Sequence, residues 1–403
     1  MQNKLFIAIP LLDELSNLDS LFSCLDAQQI KNFSVYFCVN QADNWWDDEN
    51  KIEICKRNQL SIKYIENKAF TADYNIVTID KSSKGKAWKG KKIGVGWARK
   101  TLMDTISETA NNEDIIISLD GDTSFNPQYF ETIIDFFNKS KSIDTLSIPY
   151  YHPLGNNEVA NRAILRYEIY MRYYFLNLIR INSIYAFSAL GSAIAFRHKA
   201  LKTIGGFTPK KSGEDFYFLQ KMIKHKPIGN YLKEKVYPAA RFSNRVFFGT
   251  GPAMIKGSAG NWESYPLYPM SLFDKVKEFY DIIPLLYEDN ISTPIDSFWL
   301  NIDSRNQIFD KIRKNSKDVN GFTKSILQYF DALRMLQFLK ANYDANNEEY
   351  NLIEFLNSGF AKGIDDKLLI NIDFNNSSLE QLNAIRDYLC KLEDKQREII
   401  SNF

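Results

Sequence analysis

The chain has 403 residues, with 50 Lys+Arg against 49 Asp+Glu, a net charge of +1, 45% hydrophobic and 25% charged residues. That composition excludes a wholly disordered or fibrous chain, and the missing basic excess argues against a nucleic-acid binder. Aromatic residues stand out at 14%; they either reflect composition alone or line a site, where flat apolar rings pack on sugars and bases.

Residues 4–10, Lys-Leu-Phe-Ile-Ala-Ile-Pro, form an apolar run that suits a buried strand of a parallel sheet. Leu15, Leu18, Phe22 and Leu25 then fall at helical spacing. Phe33, Val35, Phe37 and Val39 alternate as in a second strand, and Tyr74–Ile79 reads as a third. Gly94–Ile106 reads as a helix and Ile115–Leu119 as a fourth strand. Such alternation predicts right-handed β-α-β units and a mostly parallel sheet. Ligands of these sheets bind beyond the carboxyl ends of the strands. The loops at 10–14, 40–46, 80–92 and 120–124 are therefore expected to converge on one crevice. From about Lys256 the alternation stops. Thr293-Pro294 predicts a helix start, Phe322, Ile326, Phe330, Leu333 and Leu336 follow one helical spacing, and Ser377 with Glu380 reads as a capping box. The expected plan is an α/β domain over residues 1–255 and a mostly helical region over 256–403.

Cys24, Cys38, Cys55 and Cys390 match no zinc or redox spacing and are too sparse for a disulfide scaffold. Free thiols in a reducing compartment are expected. The apolar run Leu5–Leu12 stops at Asp13-Glu14 without a small-residue cleavage site, against a secretory signal. No apolar run reaches the roughly 18 residues of a spanning helix. The expectation is a cytoplasmic protein without a transmembrane segment, with peripheral membrane contact left open.

The strongest chemical feature is Ile115-Ile116-Ile117-Ser118-Leu119-Asp120-Gly121-Asp122. An apolar strand delivers two carboxylates to the loop after it, and paired oxygen ligands suit Mg²⁺ or Mn²⁺. A solvated Asp-Gly turn is the plainer alternative. Downstream, Ser212-Gly213-Glu214-Asp215 opens a helical pattern, where the positive end of the macrodipole stabilises anions.

Four segments together resemble the nucleotide-sugar glycosyltransferases of family 2, which have the GT-A fold. Ile7–Glu14 is similar to the family's first strand and its Pro-x-x-Asn-Glu loop. Gly94–Lys100 is similar to the helix carrying Ala-Arg-Asn, and Asp120-Gly121-Asp122 to the Asp-x-Asp. Gly191–Arg197, Gly205-Gly206-Phe207 and Glu214-Asp215 resemble the acceptor-side segment. The likeness spans roughly residues 4–255. It implies a mostly parallel nucleotide-binding sheet flanked by helices. It also implies a metal-dependent inverting transferase, moving sugar from a nucleotide-sugar donor to a carbohydrate or glycolipid acceptor in glycan or polysaccharide synthesis. By the same resemblance, Asp120 holds the ribose and approaches a divalent cation (Mn or Mg), and Asp122 coordinates that cation. Asp215 is the general base and Glu214 helps to place the acceptor. Pro10, Asp13, Glu14, Asn40 and Arg99 line the nucleotide crevice.

Val39 is followed by Asn40-Gln41-Ala42-Asp43 and not by the family's acidic pair. No His falls where a third metal ligand is often found. The six lysines of Lys81–Lys92 either contact the diphosphate or form a solvated loop. Arg245, in Arg241-Phe242-Ser243-Asn244-Arg245, is a candidate phosphate ligand beside the Gly-rich stretch before Pro252. Trp45-Trp46 either stacks on a base or plugs the core. Trp262, Tyr265 and Tyr268 are candidates for an acceptor platform. A sugar nucleotidyltransferase is the alternative enzyme, although the loop after the first strand lacks its glycines. A non-catalytic homologue acting as an assembly partner is the third reading.

Overall fold

A computed structural model describes residues 3–90, 92–210, 213–231, 233–242, 250–299, 302–343 and 348–401. The chain divides into two compact units. Unit 1 comprises Met1–Ile164, Phe187–Gly260 and Arg397–Phe403, and unit 2 comprises Leu165–Ala186 and Asn261–Gln396.

Unit 1 begins β1 (Leu5–Leu11), α1 (Leu18–Asp26), β2 (Phe33–Asn40), α2 (Ile52–Ala69), β3 (Asn75–Lys81), α3 (Val95–Ser107) and β4 (Ile115–Ser118). It continues through β5 (Thr123–Phe125), α4 (Tyr129–Lys139) and β6 (Thr145–Ser147), and α5 (Glu158–Arg180) then starts within it. After residue 187 follow β7 (Ile194–Arg197), α6 (His198–Thr203), α7 (Glu214–His225), β8 (Gly229–Asn230), β9 (Val236–Pro238) and α8 (Thr250–Ser258). All seven residues of β1 are buried, which is why its sequence is continuously apolar and does not alternate.

Seven strands form one sheet in the order β3-β2-β1-β4-β7-β6-β8. Every neighbouring pair is parallel except those made by β7, which runs against β4 and β6. The expected fold class, a mostly parallel sheet flanked by helices, is borne out. The chain leaves β1 towards β2 and β3, then crosses back to place β4 on the other side of β1. That reversal opens a crevice beyond the ends of β1 and β4. The β1–β4 ladder stops at Ala8–Ser118, two residues before Pro10, which has no N–H to give. The remaining strands, β5 and β9, pair antiparallel as a separate ribbon.

Unit 2 is helical, as expected of the C-terminal region. Besides residues 165–180 of α5 it holds α9 (Met270–Ile282), α10 (Ile302–Lys314), α11 (Val319–Tyr329), α12 (Ala332–Ala341), α13 (Glu348–Asn357) and most of α14 (Leu379–Ser401). Three local expectations change. The run from Phe322 to Leu336 is two helices, because Asp331 accepts from Arg334 N at 3.2 Å and starts a new one. Thr293 donates to Asp296 and leads into a short 3₁₀ turn, Asp296–Phe298. Helix α14 starts at Leu379, and the Ser378 hydroxyl accepts from Gln381 N at 3.1 Å, a cap one residue later than expected.

Candidate active site

Four backbone features of unit 1 bring distant side chains to the crevice. The loop after β1 carries Glu14. Leu119, Asp120, Gly121 and Asp122 follow β4, and Leu119 N still donates to Ala8 O at 3.1 Å. The β5–β9 ribbon returns the chain to the same place: Thr123 pairs with Pro238, and Ala239 N donates to Asp122 O at 3.1 Å. Arg241 follows two residues later. Helix α7 opens with Glu214 and Asp215.

The approach of these segments depends on Gly121. A Cβ there would stand 2.5 Å from Leu11 Cδ2 and 3.1 Å from Glu14 Cγ. The glycine of the Asp-x-Asp therefore lets the β1 loop lie directly over the β4 loop. Gly191 does the same for Arg99, since a Cβ there would lie 2.3 Å from Nη2 of the guanidinium.

Arg99 is 3% exposed and joins both halves of the site. Its Nη2 donates to Asp120 Oδ1 at 2.5 Å, Nη1 to the Ser118 hydroxyl, and Nε to Glu214 Oε1 at 3.3 Å. Burial alone would weaken the charged form. Asp120 and Glu214 outweigh it and hold the guanidinium above its ordinary range. On α7, burial raises the Glu214 carboxyl despite Arg99 beside it. Asp215 is half-buried, and burial, then the Glu214 charge, push its carboxyl up to about 7. Both adjacent carboxyls are thus raised, and Glu214 is the one paired with Arg99.

On the other side of the crevice, Arg241 lies between Glu14 and Asp122. Its Nη2 donates to Glu14 Oε1 at 2.8 Å, to Glu14 Oε2 at 2.7 Å and to Asp122 Oδ2 at 2.7 Å. Its Nε donates to Asp122 Oδ2 at 3.0 Å. Those carboxylates already hold one cationic group between them, and their hard oxygens suit Mg²⁺ or Mn²⁺. Among the described residues no group of three or more His, Cys, Asp or Glu is arranged to hold a metal ion. The residues fit a cation that takes one or two protein carboxylates and completes its shell with phosphate oxygens and water.

The other expected crevice residues are differently engaged. Asp13 has φ +57° and its carboxylate takes two hydrogen bonds from Arg57, at 2.6 and 3.0 Å. Its N–H donates to Asn58 Oδ1 at 2.8 Å. The Asn40 amide donates to Leu11 O at 2.9 Å and braces the ends of β1 and β2. Pro10 is buried within β1, paired with Cys38. The structure thus joins Glu14 and Asp122 through Arg241, and Asp120 and Glu214 through Arg99, with Asp215 next to Glu214, whereas Asp13 meets Arg57, Asn40 meets Leu11 and Pro10 pairs with Cys38.

Five of the loop lysines have local partners. Lys84 pairs with Asp47, Lys86 with Asp80 and Lys89 with Asp43, while Lys81 lies over Trp88 and Lys92 over Trp97. Lys91 lies outside the described residues, as do Ser212, Ser243, Asn244, Arg245, Phe247, Phe248 and Gly249. Trp46 Nε1 donates to Ser82 O at 2.8 Å, and Lys51 lies over the Trp45 ring. Tyr265 and Tyr268 are 7% and 1% exposed and belong to the core of unit 2, which removes them as an open acceptor platform. Arg241, Ser118 and Arg57 escape sequence reasoning. Arg241 stands in the same basic stretch as Arg245, but nothing in that stretch ranks one above the other.

Residues 115–269 match the family model described as "Glycosyl transferase family group 2". The expected family resemblance is thereby borne out over a span holding both the Asp-x-Asp and the Glu-Asp pair. The expected enzyme class, a glycosyltransferase, stands on that match. No curated protein matches. Among solved structures, the chain is similar to residues 1–349 of TarS from S. aureus in complex with UDP-GlcNAc. Identity there is 14% and the TM-score 0.40, covering 99% of this chain and 92% of that one. It is also similar to a mannosyltransferase from Pyrobaculum calidifontis in complex with GDP-Man and Mn²⁺. That match has 11% identity and a TM-score of 0.36, over 100% of this chain and 88% of the other. Both likenesses are remote.

Proposed function

We propose that the chain is a metal-dependent, inverting glycosyltransferase that moves a sugar from a nucleotide-sugar to an acceptor hydroxyl in glycan or polysaccharide synthesis, in the cytoplasm. The observation that carries this reading is the arrangement around Arg99, one buried guanidinium bonded to both Asp120 and Glu214. It ties the strand end suited to a metal and a diphosphate to the helix start suited to a base. Residues 1–255 would do this work.

Asp122 would hold a divalent cation, Mn²⁺ or Mg²⁺, with Asp120 close by on the ribose side. Such a cation, when bound, supplies Lewis-acid stabilisation of the departing nucleoside diphosphate. Asp215 takes the proton from the acceptor hydroxyl, and its raised carboxyl is a stronger base than an ordinary aspartate. Glu214, fixed by Arg99, helps to orient the acceptor. A base acting opposite the leaving group gives single displacement with inversion. Arg99, enclosed by its three partners, acts as a positioning residue. Asp13 acts through the fold of the β1 loop.

A screen of sugar nucleotides, read out as release of the diphosphate, tests the reaction. Asp215→Asn is expected to lower turnover by about 10²–10⁴-fold while keeping nucleotide binding. Asp122→Asn is expected to abolish the metal-dependent thermal stabilisation by a nucleoside diphosphate. Wild-type turnover in either variant would remove the role given to that residue.

A further inference from the structure

Two carboxylates sharing one site repel each other, and something positive between them relieves that cost. Among the described residues Arg241 is a positive group at Glu14 and Asp122, and it reaches both carboxylates through one nitrogen at 2.7–2.8 Å. Asp122 and Glu14 outweigh the burial of this guanidinium and raise it above its ordinary range, so it stays charged. Its side chain is 30% exposed, against 4% for Arg99. The two arginines therefore differ in freedom. Arg99 is enclosed by Ser118, Asp120 and Glu214. Arg241 is anchored by its backbone near Asp122, through Ala239, and has solvent beside its flexible stem. A divalent cation on the Asp122 oxygen that holds the guanidinium would stand close to a second positive charge, and the two repel.

We propose that Arg241 is a displaceable counter-ion. Without donor it offsets part of the charge of Glu14 and Asp122; when the cation and the nucleoside diphosphate enter, it yields Asp122 to the cation and pairs with a phosphate oxygen. This inference rests on the metal-dependent reading above. Its consequence is that Arg241 weakens metal binding to the donor-free protein, because the incoming ion must first displace it. A nucleoside diphosphate relieves that competition by offering the guanidinium a new partner, so the two ligands favour each other's binding.

Mn²⁺ binding to the full chain, without nucleotide, separates the possibilities by calorimetry or by the loss of the free Mn²⁺ EPR signal. Arg241→Gln is expected to bind Mn²⁺ about tenfold more tightly than the wild type, the equivalent of one charge-assisted hydrogen bond. Arg241→Lys, which keeps the charge but loses the second guanidinium donor to Asp122, is expected to fall between the two and decides the matter if the glutamine variant does not fold. Asp122→Asn is expected to lose most of the binding. Equal or weaker Mn²⁺ affinity in the folded Arg241 variants, with Asp122→Asn still defective, would overturn the counter-ion role and leave the metal reading standing. Mn²⁺ binding that is absent throughout, or indifferent to Asp122→Asn, would overturn both.

Discussion

Asp215 is the group whose chemistry depends most on its surroundings. Burial, then the Glu214 charge, raise its carboxyl to about 7, while the Arg99 charge pulls it the other way. A base must be ionised, so kcat/KM is expected to rise as the pH climbs through about 7. Removing the guanidinium in Arg99→Met should move that limb to higher pH. An unmoved limb would show that Arg99 does not act on the base. The same shift has a stability sign. A carboxyl with a raised folded pKa stabilises the native state most when protonated. That contribution is whole below about pH 4, its unfolded range, and is lost as the pH rises through about 7. Asp215→Asn stays neutral throughout. It should therefore be more stable than the wild type at pH 8, by about 1–2 kcal/mol, with a gap that shrinks as the pH falls. Thermal unfolding at several pH values would show this, and a gap independent of pH would contradict it.

Among the connecting elements, the β1 and β4 loops act as a pair, and Gly121 is their contact. A Cβ at Gly121 would press on Leu11 and Glu14, so Gly121→Ala is expected to cost about 1–3 kcal/mol. It should also displace Glu14 from Asp122 and lower turnover. Because the clash is with Leu11 Cδ2, at 2.5 Å, Leu11→Ala should relieve part of it. The two substitutions together should then cost less than their sum in a double-mutant cycle. Strict additivity in chemical denaturation would mean that the loops part without strain. The β5–β9 ribbon has the matching task of holding Arg241 beside Asp122, through the Ala239–Asp122 hydrogen bond.

At the scale of the whole molecule, unit 2 absorbs much of the aromatic excess. Tyr167 and Tyr170 stand edge-on to Tyr265 at 5.0 and 5.4 Å, and Tyr173 to Phe355 at 5.1 Å. These are packing contacts of a helical core. A buried ionic network runs through the same unit. Glu168 takes hydrogen bonds from Arg172 and Arg386, and Arg172 Nη1 donates to Glu393 at 2.6 Å. All four residues are at most 1% exposed. Breaking such a network leaves an uncompensated buried charge. Arg172→Met is therefore expected to lose about 3–5 kcal/mol in denaturant unfolding. A loss below about 1 kcal/mol would mean that water reaches Glu168 and Glu393.

The sequence by itself determined the first four strands of the sheet, the helical C-terminal region, the two carboxylate motifs and the family resemblance, but not the later strands β6, β7 and β8. These features are local: burial writes its period into neighbouring residues, and Asp120-Gly121-Asp122 and Glu214-Asp215 are legible as short strings. Helix limits were less legible where one side chain decides them, as with Asp331 and Ser378. Only the tertiary structure decided how the charges are shared. Arg99 meets Asp120 and Glu214 across 21 and 115 positions, and Arg241 meets Glu14 across 227. No spacing rule reaches that far. The partner of a charged side chain depends on which chain segments the fold brings to the same strand end, and on how far burial there removes the water that would otherwise compete for it.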